Sequence, residues 1–152
     1  MRLFFRKKDE NYNHQLYFSI LCHKSKLVKD FINSGFVCLD NHKSMFFNQL
    51  RCAIVEKNVH ALCLLLHHGA EVNNGDFYAW QPIHWSIQQN YFEAFKALVS
   101  YNSSINKSTN NGQTPLILAA SGGYAGVVKL LLSNGADYKY KKKWCRRLYC
   151  FY

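Results

Sequence analysis

The chain has 152 residues, 49% of them hydrophobic and 16% aromatic, which suits one domain with a sizeable core and excludes wholesale disorder. Its longest apolar runs, residues 61–66 and 116–120, fall far short of the roughly 20 residues that span a bilayer, so no transmembrane helix is expected. The net charge of +10 is concentrated at the ends and leaves only +2 over residues 16–137, a body too neutral to be a nucleic-acid platform.

Residues 1–13 form a basic N-terminal segment. Arg6, Lys7 and Lys8 interrupt its apolar start before a secretory h-region of about 7 residues can form, so the expected compartment is the cytosol or nucleus. The six cysteines show no CxxC pair and mostly sit inside apolar periodic segments, which reads as reduced, buried thiols.

From residue 14 the chain repeats itself. The first unit, "HQLYFSILCHKSKLVKDFINSGF", is carried by Leu16, Ile20, Val28, Phe31, Ile32 and Gly35. A shift of 34 lays Leu16, Phe31, Ile32 and Gly35 on Leu50, Leu65, Leu66 and Gly69 of the second unit, "NQLRCAIVEKNVHALCLLLHHGAEVN". A shift of 33 then reaches Ile83, Ser86, Leu98 and Asn102 of the third, "QPIHWSIQQNYFEAFKALVSYNSSIN", and another 33 reaches Leu116, Leu131 and Gly135 of the fourth. One period over most of the chain indicates a repeat architecture.

Each unit reads as two short helices and a turn. In the fourth, Thr114 caps the first helix, Pro115 occupies its first turn, and Leu116, Ala119 and Ala120 are the expected apolar face. Gly122 and Gly123 break that helix. Val127, Val128, Leu130, Leu131 and Leu132 form a second, buried one, which Gly135 ends in the left-handed conformation. Asn102 stands at the position of Gly135, and Ala79 and Phe46 at that of Gly112. Helices this short are unstable alone and must stack on their neighbours.

The stretch "GQTPLILAASGGYAGVVKLLLSNGAD" resembles the ankyrin repeat, whose signature is T-P-L-H-x-A at a 33-residue period. The resemblance implies an all-α ankyrin-repeat solenoid of stacked helix-turn-helix units with short β-hairpin-like turns. It covers about four units over residues 14–140, the first divergent, with a basic aromatic tail at 141–152. His84 lies in the T-P-L-H position, where the resemblance implies a hydrogen-bonding strut between turns.

The sequence contains no GxGxxG, P-loop or GxSxG, so neither catalysis nor a cofactor is expected. His60, Cys63 and His67, with His68 beside them, share one helix face but lack a fourth ligand, and read as solvated surface rather than a metal site. The family likeness implies a monomeric protein-binding module, without a small-molecule substrate, that uses turn tips and the exposed side of each first helix. The corresponding residues are Met45 and Phe47, then Phe77, Tyr78 and Trp80, then Asn110, Asn111 and Gln113, with Val55, Glu56, Gln88, Gln89 and Ser121 on the helices. Phe77, Tyr78 and Trp80 place three large aromatics at one turn, the composition of an interface anchor, with Trp80 folded back over the neighbouring unit to cover its core as the alternative. A second reading gives the binding to the tail, where Lys141, Lys142, Lys143, Trp144, Arg146 and Arg147 suit an anionic membrane or nucleic acid. A third makes the chain a fragment of a longer ankyrin adapter.

Overall fold

The computed structural model describes residues 15–33 and 43–139, the side chains of 43–48 excepted, and among these the regular structure is helix alone. Residues 15–21 form α1. It is followed by α2 (Ser25–Asn33), α3 (Lys43–Val55), α4 (Val59–His67), α5 (Pro82–Gln88), α6 (Phe92–Ser100), α7 (Pro115–Ser121) and α8 (Ala125–Ser133).

The helix starts follow from local chemistry. Thr114 is extended at φ −82° and ψ 160°, the conformation imposed on a residue before proline, and its Oγ1 accepts the Ile117 N–H at 3.3 Å. Gln81, before Pro82, adopts the same extended backbone. The second unit has Gln49 where the third and fourth have proline, so nothing restricts the preceding residues, and α3 extends back to Lys43. Met45 and Phe47, expected at a turn tip, therefore lie within α3. Asn58 starts α4 by accepting the Ala61 N–H on Oδ1 at 3.1 Å.

Two helix layers stack along the repeat. One runs α3 on α5 on α7 and the other α2 on α4 on α6, while α3 with α4, α5 with α6, and α7 with α8 close each unit. Leu16, Ile20, Leu50, Ile54, Leu62, Leu65, Ile83, Ile87, Phe95 and Leu98 are fully buried between the layers. The expected face of α7 needs correction: Ala119 is buried and Leu116 half-buried, but Ala120 is exposed and Leu118 is buried instead. The equivalents of Ala120 are Ile20, Ile54 and Ile87, each buried and each followed by a further unit, whereas no described unit follows that of Ala120. In the same unit, the last of the described residues, Leu132 is 46% exposed, although Val127 and Leu131 are buried as expected.

Polar struts join the units. Asn58 Nδ2 donates to the Ile20 carbonyl at 3.2 Å, and the Tyr91 hydroxyl to the Lys57 carbonyl at 2.9 Å. Asn73 Oδ1 accepts the Ser104 N–H at 2.7 Å, and one unit later Asn106 Oδ1 accepts the Asp137 N–H at 2.8 Å. These bonds satisfy backbone groups that a turn would otherwise leave unpaired. Asn102 and Gly135 both adopt positive φ, 60° and 83°, so asparagine meets the conformational demand that glycine meets one unit on. Of the thiols, Cys52 is buried and Cys63 half-buried, whereas Cys22 is exposed because it sits in the turn that leaves α1, contrary to its expected burial. Cys38, Cys145 and Cys150 lie outside the described residues.

Candidate functional site

Residues 76–80 fold into a tight hairpin. The Asp76 N–H donates to the Trp80 carbonyl at 3.1 Å and the Ala79 N–H to the Asp76 carbonyl at 2.9 Å. The Asp76 carboxylate accepts the Tyr78 and Trp80 N–H groups at 2.9 and 2.8 Å, which fixes the tip from inside. Ala79 completes the turn at φ 59°, matching Gly112 at 69° one unit later. The next hairpin repeats the pattern: the Thr109 N–H reaches the Gln113 carbonyl at 3.0 Å and the Gly112 N–H reaches the Thr109 carbonyl at 2.8 Å.

The two hairpins are tied together. Asn110 donates its backbone N–H to the Tyr78 carbonyl and its Nδ2 to the Phe77 carbonyl, both at 3.0 Å. Asn110 is exposed, but its carboxamide holds the neighbouring tip. On that tip Phe77 is 88% and Tyr78 62% exposed, with their rings in edge contact 5.5 Å apart.

Trp80 is half-buried and packs against Trp85, with ring centres 5.1 Å apart, and against His84 at 6.0 Å. The Arg51 guanidinium lies 4.5 Å above the Trp85 ring, a cation–π contact between units. Trp80 thus packs rather than projecting, as the alternative had it, but its ring contacts are with the third unit itself and not with a neighbouring one. Gln88 and Asn111 are exposed and Gln89 and Gln113 half-buried, while Val55 and Ser121 are exposed and Glu56 half-buried. Arg51 and Trp85 belong to the same surface and were missed by sequence reasoning. Their only signal was position, since they occupy consecutive places in successive first helices. Lys141, Lys142, Lys143, Trp144, Arg146 and Arg147 lie outside the described residues.

His84 is fully buried behind this surface. Its Nδ1 accepts the Gln81 N–H at 3.1 Å, which leaves the proton on Nε2 to be donated to the Lys107 carbonyl at 3.0 Å. Burial holds its pKa below the ordinary value, so the ring is a neutral strut between the third unit and the following turn. Burial and two committed nitrogens leave it unavailable to a substrate. His60 and His67 are exposed on α4 and Cys63 is half-buried between them. Among the described residues no three His, Cys, Asp or Glu side chains converge as metal ligands, and no helix is long and apolar enough to cross a membrane. The chemistry available at the tips is apolar burial and amide hydrogen bonding.

A family model described as ankyrin repeats, in 3 copies, matches residues 50–142. Over 67 residues the chain is 40% identical to an ankyrin repeat and KH domain-containing protein of Caenorhabditis briggsae, a match covering 44% of this chain and 2% of that protein. It is 39% identical over 85 residues to ankyrin repeat and SOCS box protein 3 of Homo sapiens, covering 54% and 16%. An ankyrin repeat protein of fowlpox virus is 31% identical over 116 residues, covering 56% and 27%. The chain therefore spans well under two thirds of the length of each of these relatives.

Proposed function

The chain belongs to the ankyrin repeat family, whose repeats are in general non-catalytic protein–protein interaction modules, and from that premise we propose that it is an adapter or scaffold. It binds a partner protein through its hairpin tips and the exposed side of its first helices, acts as a monomer in the cytosol or nucleus, and takes no small-molecule substrate. The observation that carries this reading is the pair Phe77 and Tyr78, 88% and 62% exposed on a hairpin whose backbone is held from both sides. Covering both rings removes on the order of 200 Å² of apolar surface from water, worth about 5 kcal/mol before the costs of association. A fixed tip lowers those costs, because little ordering remains to be done on binding.

The test compares capture of one defined partner by the intact chain, by a Phe77→Ala/Tyr78→Ala variant, and by a chain ending at Tyr138, each with its helical circular dichroism intact. The proposal expects loss only in the aromatic variant and little dependence on salt. Loss only in the shortened chain, steepening with ionic strength, would move the function to the basic tail.

A further inference from the structure

Three Asn–Gly dipeptides occur in the chain: Asn74–Gly75, Asn111–Gly112 and Asn134–Gly135. Each can undergo the same reaction. A base in solvent removes the glycine N–H proton, the nitrogen attacks the asparagine Cγ, and the Cγ–Nδ2 bond breaks. Nδ2 takes up a proton from water and leaves as ammonia, and the ring formed is a succinimide. Water then adds to either ring carbonyl and opens it to aspartate or isoaspartate, and the ammonia takes up the proton released, so the net change is asparagine plus water giving a carboxylate and an ammonium ion. Glycine favours the attack because no Cβ shields its nitrogen.

The fold separates three sites that the local sequence makes alike. At Asn134 both reacting groups are held: Nδ2 donates to the Leu130 carbonyl at 2.7 Å and the Gly135 N–H to the Leu132 carbonyl at 3.1 Å. Asn74 is half-buried and not free, and a Cβ placed on Gly75 would lie 3.4 Å from the Ala79 backbone. Asn111 is exposed and its carboxamide makes no hydrogen bond among the described residues. The remaining restraint there is the 2.8 Å bond from the Gly112 N–H to the Thr109 carbonyl, in an exposed hairpin where local opening is cheap.

We infer that Asn111 is the site at which the folded protein deamidates itself, through a succinimide with Gly112. The product places a carboxylate in the hairpin that Asn110 ties to Phe77 and Tyr78, and its isoaspartyl form also lengthens that backbone by one methylene. The inference stands on the chemistry and geometry of the dipeptide and does not need the proposed partner.

The experiment incubates the full chain in mildly alkaline buffer at body temperature, folded and in denaturing urea, and follows each Asn–Gly peptide by mass spectrometry for a gain of about one dalton. The folded chain should convert Asn111 several-fold faster than Asn74 and Asn134, and the lead should vanish in urea. Equal relative rates in both conditions, a lead by Asn74 or Asn134 when folded, or an intact Asn111 in the folded chain would each overturn the inference. Asn111→Gln, whose longer side chain closes the ring poorly, should abolish the heavier product in that peptide with helicity unchanged. Persistence of the product in this variant would place the reaction at Asn110 and also overturn it.

Discussion

Replacing His84 with alanine tests the internal strut and the polarity of its surroundings together. The substitution removes two hydrogen bonds, from the Gln81 N–H at 3.1 Å and to the Lys107 carbonyl at 3.0 Å. Lys107 is exposed, so water can replace the ring at its carbonyl, whereas Gln81 is buried and its N–H bears an unpaired-donor penalty of about 1–3 kcal/mol. With the packing of the ring against Trp80 also lost, the variant should be destabilised by about 2–4 kcal/mol. The strut also has a pH signature. Burial holds the folded pKa of His84 below its ordinary value near 6.5, so once the pH falls below that value the unfolded chain binds a proton that the folded chain does not. The contribution of His84 is complete above about pH 6.5 and declines below it, towards its folded pKa, by at most about 1.4 kcal/mol per pH unit. Urea titrations of wild type and His84→Ala at about pH 7.5 and about pH 5.5, followed by far-ultraviolet circular dichroism, measure both effects. A loss under about 0.5 kcal/mol at the higher pH, or an acid sensitivity unchanged in the variant, would refute the reasoning.

Asn58→Ala removes both the α4 cap and the bond to the Ile20 carbonyl, so it should cost about 1–3 kcal/mol in the same titration. Ala79→Gly relieves a left-handed alanine at φ 59° but loosens the unfolded chain, and the balance should stabilise the protein by up to about 1 kcal/mol, read as a higher urea midpoint. Burial first, then the charge of Glu56, pushes the Cys52 thiol up to about 11, so alkylation in the folded state should label exposed Cys22 promptly and leave Cys52 unlabelled until the chain is unfolded.

Much of the fold was legible because a repeat states its own register several times. The shift of 33 that pairs Leu65 with Leu98 and Leu98 with Leu131 identified positions buried in the interior of the stack, and Thr114, Pro115 and Gly135 marked the helix ends. The same regularity misled at the last of the described units. Ala120 sits where Ile54 and Ile87 are buried, and periodicity does not say that among the described residues no further unit follows the fourth. Met45 and Phe47 were placed by alignment with Tyr78 and Trp80, but a tip requires the extended backbone that Pro82 imposes on Gln81, and Gln49 imposes none. Trp80 illustrates the remaining difficulty. Composition showed three aromatics at one turn, and which two face solvent depends on Trp85, a residue five positions on that receives the third.

The most direct test of the account asks which surface touches the partner. A photo-crosslinking amino acid placed at Tyr78 and, separately, at Lys96, an exposed position on α6 of the second helix layer, would be irradiated with the partner present. The account predicts a covalent adduct from position 78 and none from position 96. An adduct from position 96 alone would put the partner on the other face of the solenoid and contradict it.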